Sequence, residues 1–142
     1  MKTILILSSD QEVVEVLKAK LTYFDFNVIN IKSNDSVFDS VSIFKPDLVL
    51  IDFFLKEGNG GSICHQLKCD SKSHQVPVIL LTEHKELIPV MKKFGCDDSV
   101  VKPLNFPDLL YKIVQIMGNK MNLMEKPEMQ YLKNDSNSAV TT

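Results

Sequence analysis

The sequence predicts an α/β protein built on a doubly wound, five-stranded parallel sheet with helices on both faces. Three observations predict it. Five short apolar runs recur along the chain, each followed by polar residues and then by a longer stretch with helical spacing. The first, third and fourth runs are apolar at consecutive positions, as strands covered on both faces must be. The resulting strict βα alternation favours right-handed crossovers, with ligands at the carboxyl ends of the strands.

The first run, residues 4–7, is ended at once by Ser8, Ser9 and Asp10. A helix is predicted over 10–23, where Val13, Val14, Val16, Leu17 and Leu21 line one side and Asp10 stands in the capping position. Residues 28–31 are the second strand, and a helix is predicted over roughly 35–44. The third strand, 48–51, runs into Asp52; Gly58-Asn59-Gly60-Gly61 reads as a tight turn before a helix over 61–68. The fourth strand, 78–81, meets Thr82, and the helix expected over about 86–94 contains Pro89, so it starts late with proline near its first turn. The fifth strand, 100–101, leads to Lys102, and a last helix over 106–117 carries Leu109, Leu110, Ile113, Ile116 and Met117 as an apolar stripe. Residues 1–118 are expected to form one domain, and 119–142, rich in small polar residues towards the end, a largely disordered C-terminal tail.

Composition narrows the function. With 44% hydrophobic and 24% charged residues in 142, the chain has the balance of one soluble domain with a core. Its 16 basic and 18 acidic residues give a net charge of -2, and every basic residue is Lys, so there is neither a strong positive field nor a planar guanidinium for phosphate or guanine. Nucleic acid and anionic membrane are excluded as first partners. Three cysteines cannot all pair within one chain, no apolar run approaches a membrane span, and a reduced cytoplasmic setting is expected. Cys64 and Cys69 lack zinc-ligand spacing and would not share a helix face.

Set side by side, the strand ends collect Ser8-Ser9-Asp10, Asp52, Thr82 and Lys102. A carboxylate, a hydroxyl and an ammonium facing one crevice suit phosphoryl chemistry: the carboxylate attacks, and the other two meet the oxygens as charge redistributes. Mg2+ would complete the electrostatics.

The segments Pro46-Asp47-Leu48-Val49-Leu50-Ile51-Asp52, Gly60, Pro77-Val78-Ile79-Leu80-Leu81-Thr82 and Gly95-Cys96-Asp97-Asp98-Ser99-Val100-Val101-Lys102-Pro103 resemble a response-regulator receiver domain, over about residues 2 to 118. The resemblance implies a flavodoxin-like receiver fold, in a single-domain signalling protein rather than an enzyme. It implies that Asp52 accepts a phosphoryl group from a histidine kinase or phosphotransfer protein, that Thr82 and Lys102 bind the phosphoryl oxygens, and that a downstream protein partner reads the change.

The chain departs from the family at the metal. Where the family places two acidic residues, this sequence has Ser8 and Ser9. A weak Mg2+ site is therefore expected, with Asp52 and the main-chain oxygen of Phe54 as ligands, Ser9 marking a missing acidic ligand and Asp10 as a substitute if it does not cap the first helix. Ser99 replaces an aromatic switch residue, Glu83 adds a carboxylate beside the site, and Phe53 and Phe54 either wall the pocket or pack the loop. The alternative is a phosphorylation-independent pseudo-receiver acting as a protein-interaction module. A dehalogenase-like phosphatase is disfavoured because Phe54 stands where a second Asp is needed, and a flavin carrier because the first loop is acidic.

Overall fold

The computed structural model describes residues 1–32 and 34–118; the expected tail over 119–142 lies outside them. The chain divides into two units, 1–102 and a second beginning at Pro103. In the first, β1 (Thr3–Leu7) leads through α1 (Gln11–Tyr23) to β2 (Asn27–Ile31), and α2 (Val37–Phe44) leads to β3 (Leu48–Asp52). A small antiparallel hairpin follows, β4 (Phe54–Leu55) and β5 (Gly58–Asn59), then α3 (Gly60–Cys69), β6 (Val78–Thr82), α4 (Ile88–Lys92) and β7 (Asp98–Val101). The second unit contains α5 (Phe106–Met117), capped by the Asn105 side chain on the Asp108 amide.

The five long strands form one parallel sheet in the order β2-β1-β3-β6-β7. The chain leaves β1 in one direction for β2 and returns past it to β3, so the order reverses between β1 and β3. Right-handed crossovers then place α1 on one face and the helices of later connections on the other. Burial follows this pattern. Leu5, Leu7, Val49, Ile51, Val78 and Leu80 share a buried cluster with Val41 of α2, Leu67 of α3 and Met91 of α4. The alternate residues Ile4, Ile6, Leu48, Leu50, Ile79 and Leu81 are equally buried, as the period-two geometry of doubly covered strands requires. This is the receiver-type α/β fold that the sequence predicts.

The predicted strands each lengthen by one or two residues. Asp10 caps α1, its side chain accepting from the Val13 amide at 3.3 Å. Two departures bear on the site. The β4–β5 hairpin is absent from the sequence reading, and α4 is shortened to Ile88–Lys92, entered through a 3₁₀ turn at Lys85–Leu87 with proline in its first turn. No helix among the described residues is long and apolar enough to cross a membrane.

The hairpin presses back on β3. The Gly60 amide donates to the Phe53 carbonyl at 2.7 Å, and Asn59 caps α3 through the Ser62 amide at 2.8 Å. A Cβ at Gly60 would lie 2.2 Å from the Asp52 carbonyl oxygen and 2.6 Å from Ile51 Cγ2, neither a movable side-chain tip. Gly60→Ala is expected to lower stability by about 2–3 kcal/mol, read from the urea midpoint, through forced displacement of the loop behind Asp52.

Candidate functional site

Asp52 ends β3 at the point where strand order reverses, and only 3% of it is exposed. The β1–β3 register pairs Leu7 with Ile51, so the next residue of β1, Ser8, stands beside Asp52. Its hydroxyl donates to Asp52 Oδ2 and accepts from the Asp10 amide at 3.0 Å. From the other side Lys102 Nζ lies 2.9 Å from Oδ1, with 12% of the lysine side chain exposed. Oδ1 receives no directed hydrogen bond, so the ammonium holds it by charge alone. An ion pair this deep is desolvated, which strengthens its attraction and makes either charge costly alone.

Thr82, also buried, ends β6, pairs with Val101 in β7, and accepts the Lys102 amide on its carbonyl at 2.6 Å. This bond carries Lys102 around the end of the sheet towards Asp52. The Thr82 hydroxyl accepts from the His84 amide at 3.0 Å and keeps its own proton to donate. Asp52, Thr82 and Lys102 line one cleft together with Phe54, Glu83 and His84. The two phenylalanines part ways: Phe53 is buried against Phe94, with ring centres 5.9 Å apart, while Phe54 is 56% exposed and meets the His84 ring edge-on at 5.7 Å. Phe54 therefore walls the cleft and Phe53 packs behind it.

The expected metal ligands are arranged less favourably. Ser9, Asp10 and Phe54 line the Asp52 cleft, joined by Glu12, which the sequence reading did not single out. Ser9 Oγ accepts the Lys56 amide of the hairpin at 3.1 Å, and Asp10 Oδ1 accepts the Val13 amide as the cap of α1. Among the described residues no three His, Cys, Asp or Glu side chains converge on one point. Mg2+ is held through one or two carboxylates and keeps several waters; of the carboxylates lining this cleft Asp52 is the buried one, and both its oxygens are already faced by positive or donating groups. This donor set does not fit Mg2+.

His84 and the direct bond from Ser8 were the functional contacts missing from the sequence reading. Strand parity is the signal that finds Ser8: it is one register step beyond Leu7, in line with Asp52, whereas Ser9 turns to the hairpin. The cysteines take no part in the cleft. Cys64 is fully buried and burial pushes its thiol up to about 12, and Cys96 is raised for the same reason. Lys102→Met is expected to cost about 3–5 kcal/mol at neutral pH by stranding Asp52. Adding Asp52→Leu should recover much of that loss; equal losses from urea unfolding of the single and double variants would show the pair is uncoupled.

Comparison with known proteins bears on the family and the fold. A family model for the response regulator receiver domain matches residues 4–114. The sensory transduction protein BceR of Halalkalibacterium halodurans is 28% identical over 121 residues, covering 84% of this chain and 51% of BceR. Histidine kinase P4 of Formosa agariphila is 26% identical over 127 residues, covering 88% of this chain but 9% of that protein. The chain thus spans about half, or much less, of the length of these relatives. A putative response regulator from Chloroflexus aurantiacus superposes with a TM-score of 0.78 at 22% identity, covering 83% of this chain and 98% of that one. The response regulator TrrA of Thermotoga maritima, solved in complex with Mg2+-BeF, gives 0.73 at 22% identity, covering 82% and 99%. These two likenesses concern the fold; the family match spans most of the sequence, and the chain belongs to the response regulator receiver domain family.

Proposed function

We propose that Asp52 accepts a phosphoryl group from a histidine kinase or phosphotransfer protein, in the cytoplasm, and that the receiver signals through a downstream protein partner. The observation that carries this reading is the convergence of a buried carboxylate, a buried hydroxyl and a partly buried ammonium at Asp52, Thr82 and Lys102. An Asp52 carboxylate oxygen attacks phosphorus as the bond to the donor nitrogen breaks, and that nitrogen keeps the electron pair, giving an acyl phosphate. Lys102 exchanges part of its interaction with Oδ1 for a phosphoryl oxygen, and Thr82 donates its hydroxyl proton to another. Phe54 and His84 close one side of the cleft against attacking water. The protein serves here as a signalling module whose output is a changed surface, and neither nucleic acid nor membrane enters as partner.

A second reading, the phosphorylation-independent pseudo-receiver, is favoured by one observation. Asp10, Glu12 and Glu83 line the cleft around Asp52 with only Lys102 to offset them, an arrangement that opposes arrival of a phosphoryl dianion. Incubation of the purified protein with a phosphorylated histidine phosphotransfer domain, followed by intact-mass spectrometry, separates the two. The first reading predicts one added phosphoryl group, lost on hydroxylamine treatment and absent from Asp52→Asn. A gain that persists in Asp52→Asn removes Asp52 from its role, and no gain from any donor favours the second reading.

A further inference from the structure

Resting on Asp52 as the acceptor, we infer that this centre works without a divalent cation, the Ser8 hydroxyl and the Lys102 ammonium together doing what a cation does elsewhere. A metal at a carboxylate performs two tasks: it satisfies the carboxylate before reaction and meets the incoming phosphoryl oxygens during it. Both tasks already have occupants. Ser8 donates to Oδ2 and Lys102 lies 2.9 Å from Oδ1, so a cation reaching either oxygen must displace a donor or approach an ammonium of like charge.

The groups of the turn after β1 are also engaged. The Asp10 amide donates to Ser8 Oγ at 3.0 Å, so the hydroxyl proton is left to point at Asp52. Ser9, the other hydroxyl of this turn, is held by the Lys56 amide at 3.1 Å. The Asp10 carboxylate accepts from the Val13 amide at 3.3 Å, and freeing it would uncap α1. Ser8 is thus a direct donor at the reacting oxygen, fixed by its own backbone turn.

When a small phosphodonor such as acetyl phosphate reacts, a bond forms from an Asp52 oxygen to phosphorus, the bond from phosphorus to the acetyl oxygen breaks, and acetate departs with the electron pair. Ser8 Oγ–H and Lys102 Nζ–H then turn from carboxylate to phosphoryl oxygens. Asp in place of Ser8 changes the logic. Two carboxylates would face each other at hydrogen-bonding distance, and a cation becomes the way to hold both ionised.

The test uses the full chain and two readouts. Mn2+ is the metal probe, its free fraction followed by electron paramagnetic resonance; acetyl phosphate is the donor, its product followed by intact mass in EDTA and in Mg2+. The wild type is expected to leave the Mn2+ signal undiminished at millimolar concentration and to gain the same mass in EDTA as in Mg2+. Ser8→Ala should slow the gain by roughly a hundredfold, the scale of losing one preorganised donor, with Ser8→Thr restoring it. Ser8→Asp should take up Mn2+ and become Mg2+-dependent.

Stoichiometric Mn2+ uptake by the wild type that Asp52→Asn abolishes, or a mass gain confined to Mg2+, overturns the inference while leaving Asp52 as acceptor. No mass gain in either buffer, from acetyl phosphate or from the phosphorylated histidine phosphotransfer domain, with Mn2+ untouched, overturns Asp52 as acceptor and with it the part given to Ser8 in transfer.

Discussion

The contact between Asp52 and Lys102, 2.9 Å apart at the end of the sheet, is the constraint on which the rest of the site depends. A carboxylate that is 3% exposed keeps its charge only where an opposite charge and a donor replace water. Three strand ends must therefore meet. β3 supplies the acid, β1 supplies the Ser8 hydroxyl one register step beyond Leu7, and the chain leaving β7 supplies the ammonium. Displace β3 or the chain leaving β7 and a charge is left buried without its partner; displace β1 and the carboxylate loses its hydrogen-bond donor.

The opposite edge of the sheet is pinned to make that meeting reproducible. Lys68 at the end of α3 reaches Asp97 at 2.7 Å and the Val76 carbonyl at 2.9 Å, and the same Asp97 oxygen accepts the Val78 amide at 2.8 Å. This knot sets where β6 and β7 begin, and hence which residues arrive beside Asp52 at their far ends. Asp47 does similar work for β1, accepting the Thr3 amide at 2.8 Å. With register fixed at the amino ends, the loops at the carboxyl ends are left to carry chemistry.

Much of this was legible in the sequence. Unbroken apolar runs and their helical followers yield the sheet, because burial on both faces leaves little freedom in residue type. Asp52, Thr82 and Lys102 follow from being the first polar residues after three such runs. Ser8 and Ser9 were harder to separate: in a turn, side-chain direction depends on register and not on composition, and parity sends one hydroxyl to Asp52 and the other to Lys56. The β4–β5 hairpin escaped because two-residue strands have no periodicity to read. What composition does not show at the metal position is the surroundings of Asp52, where Ser8 donates to one carboxylate oxygen and Lys102 lies 2.9 Å from the other.

Carbon-13 NMR of the Asp52 side-chain carboxyl carbon, with aspartate selectively labelled and the resonance assigned through Asp52→Asn, tests the central claim most directly. If Ser8 and Lys102 hold this carboxylate, its resonance stays in place as Mg2+ is titrated and moves on Ser8→Ala. A resonance that shifts and saturates with Mg2+ but ignores Ser8→Ala would contradict the account, placing a cation where the structure puts a hydroxyl.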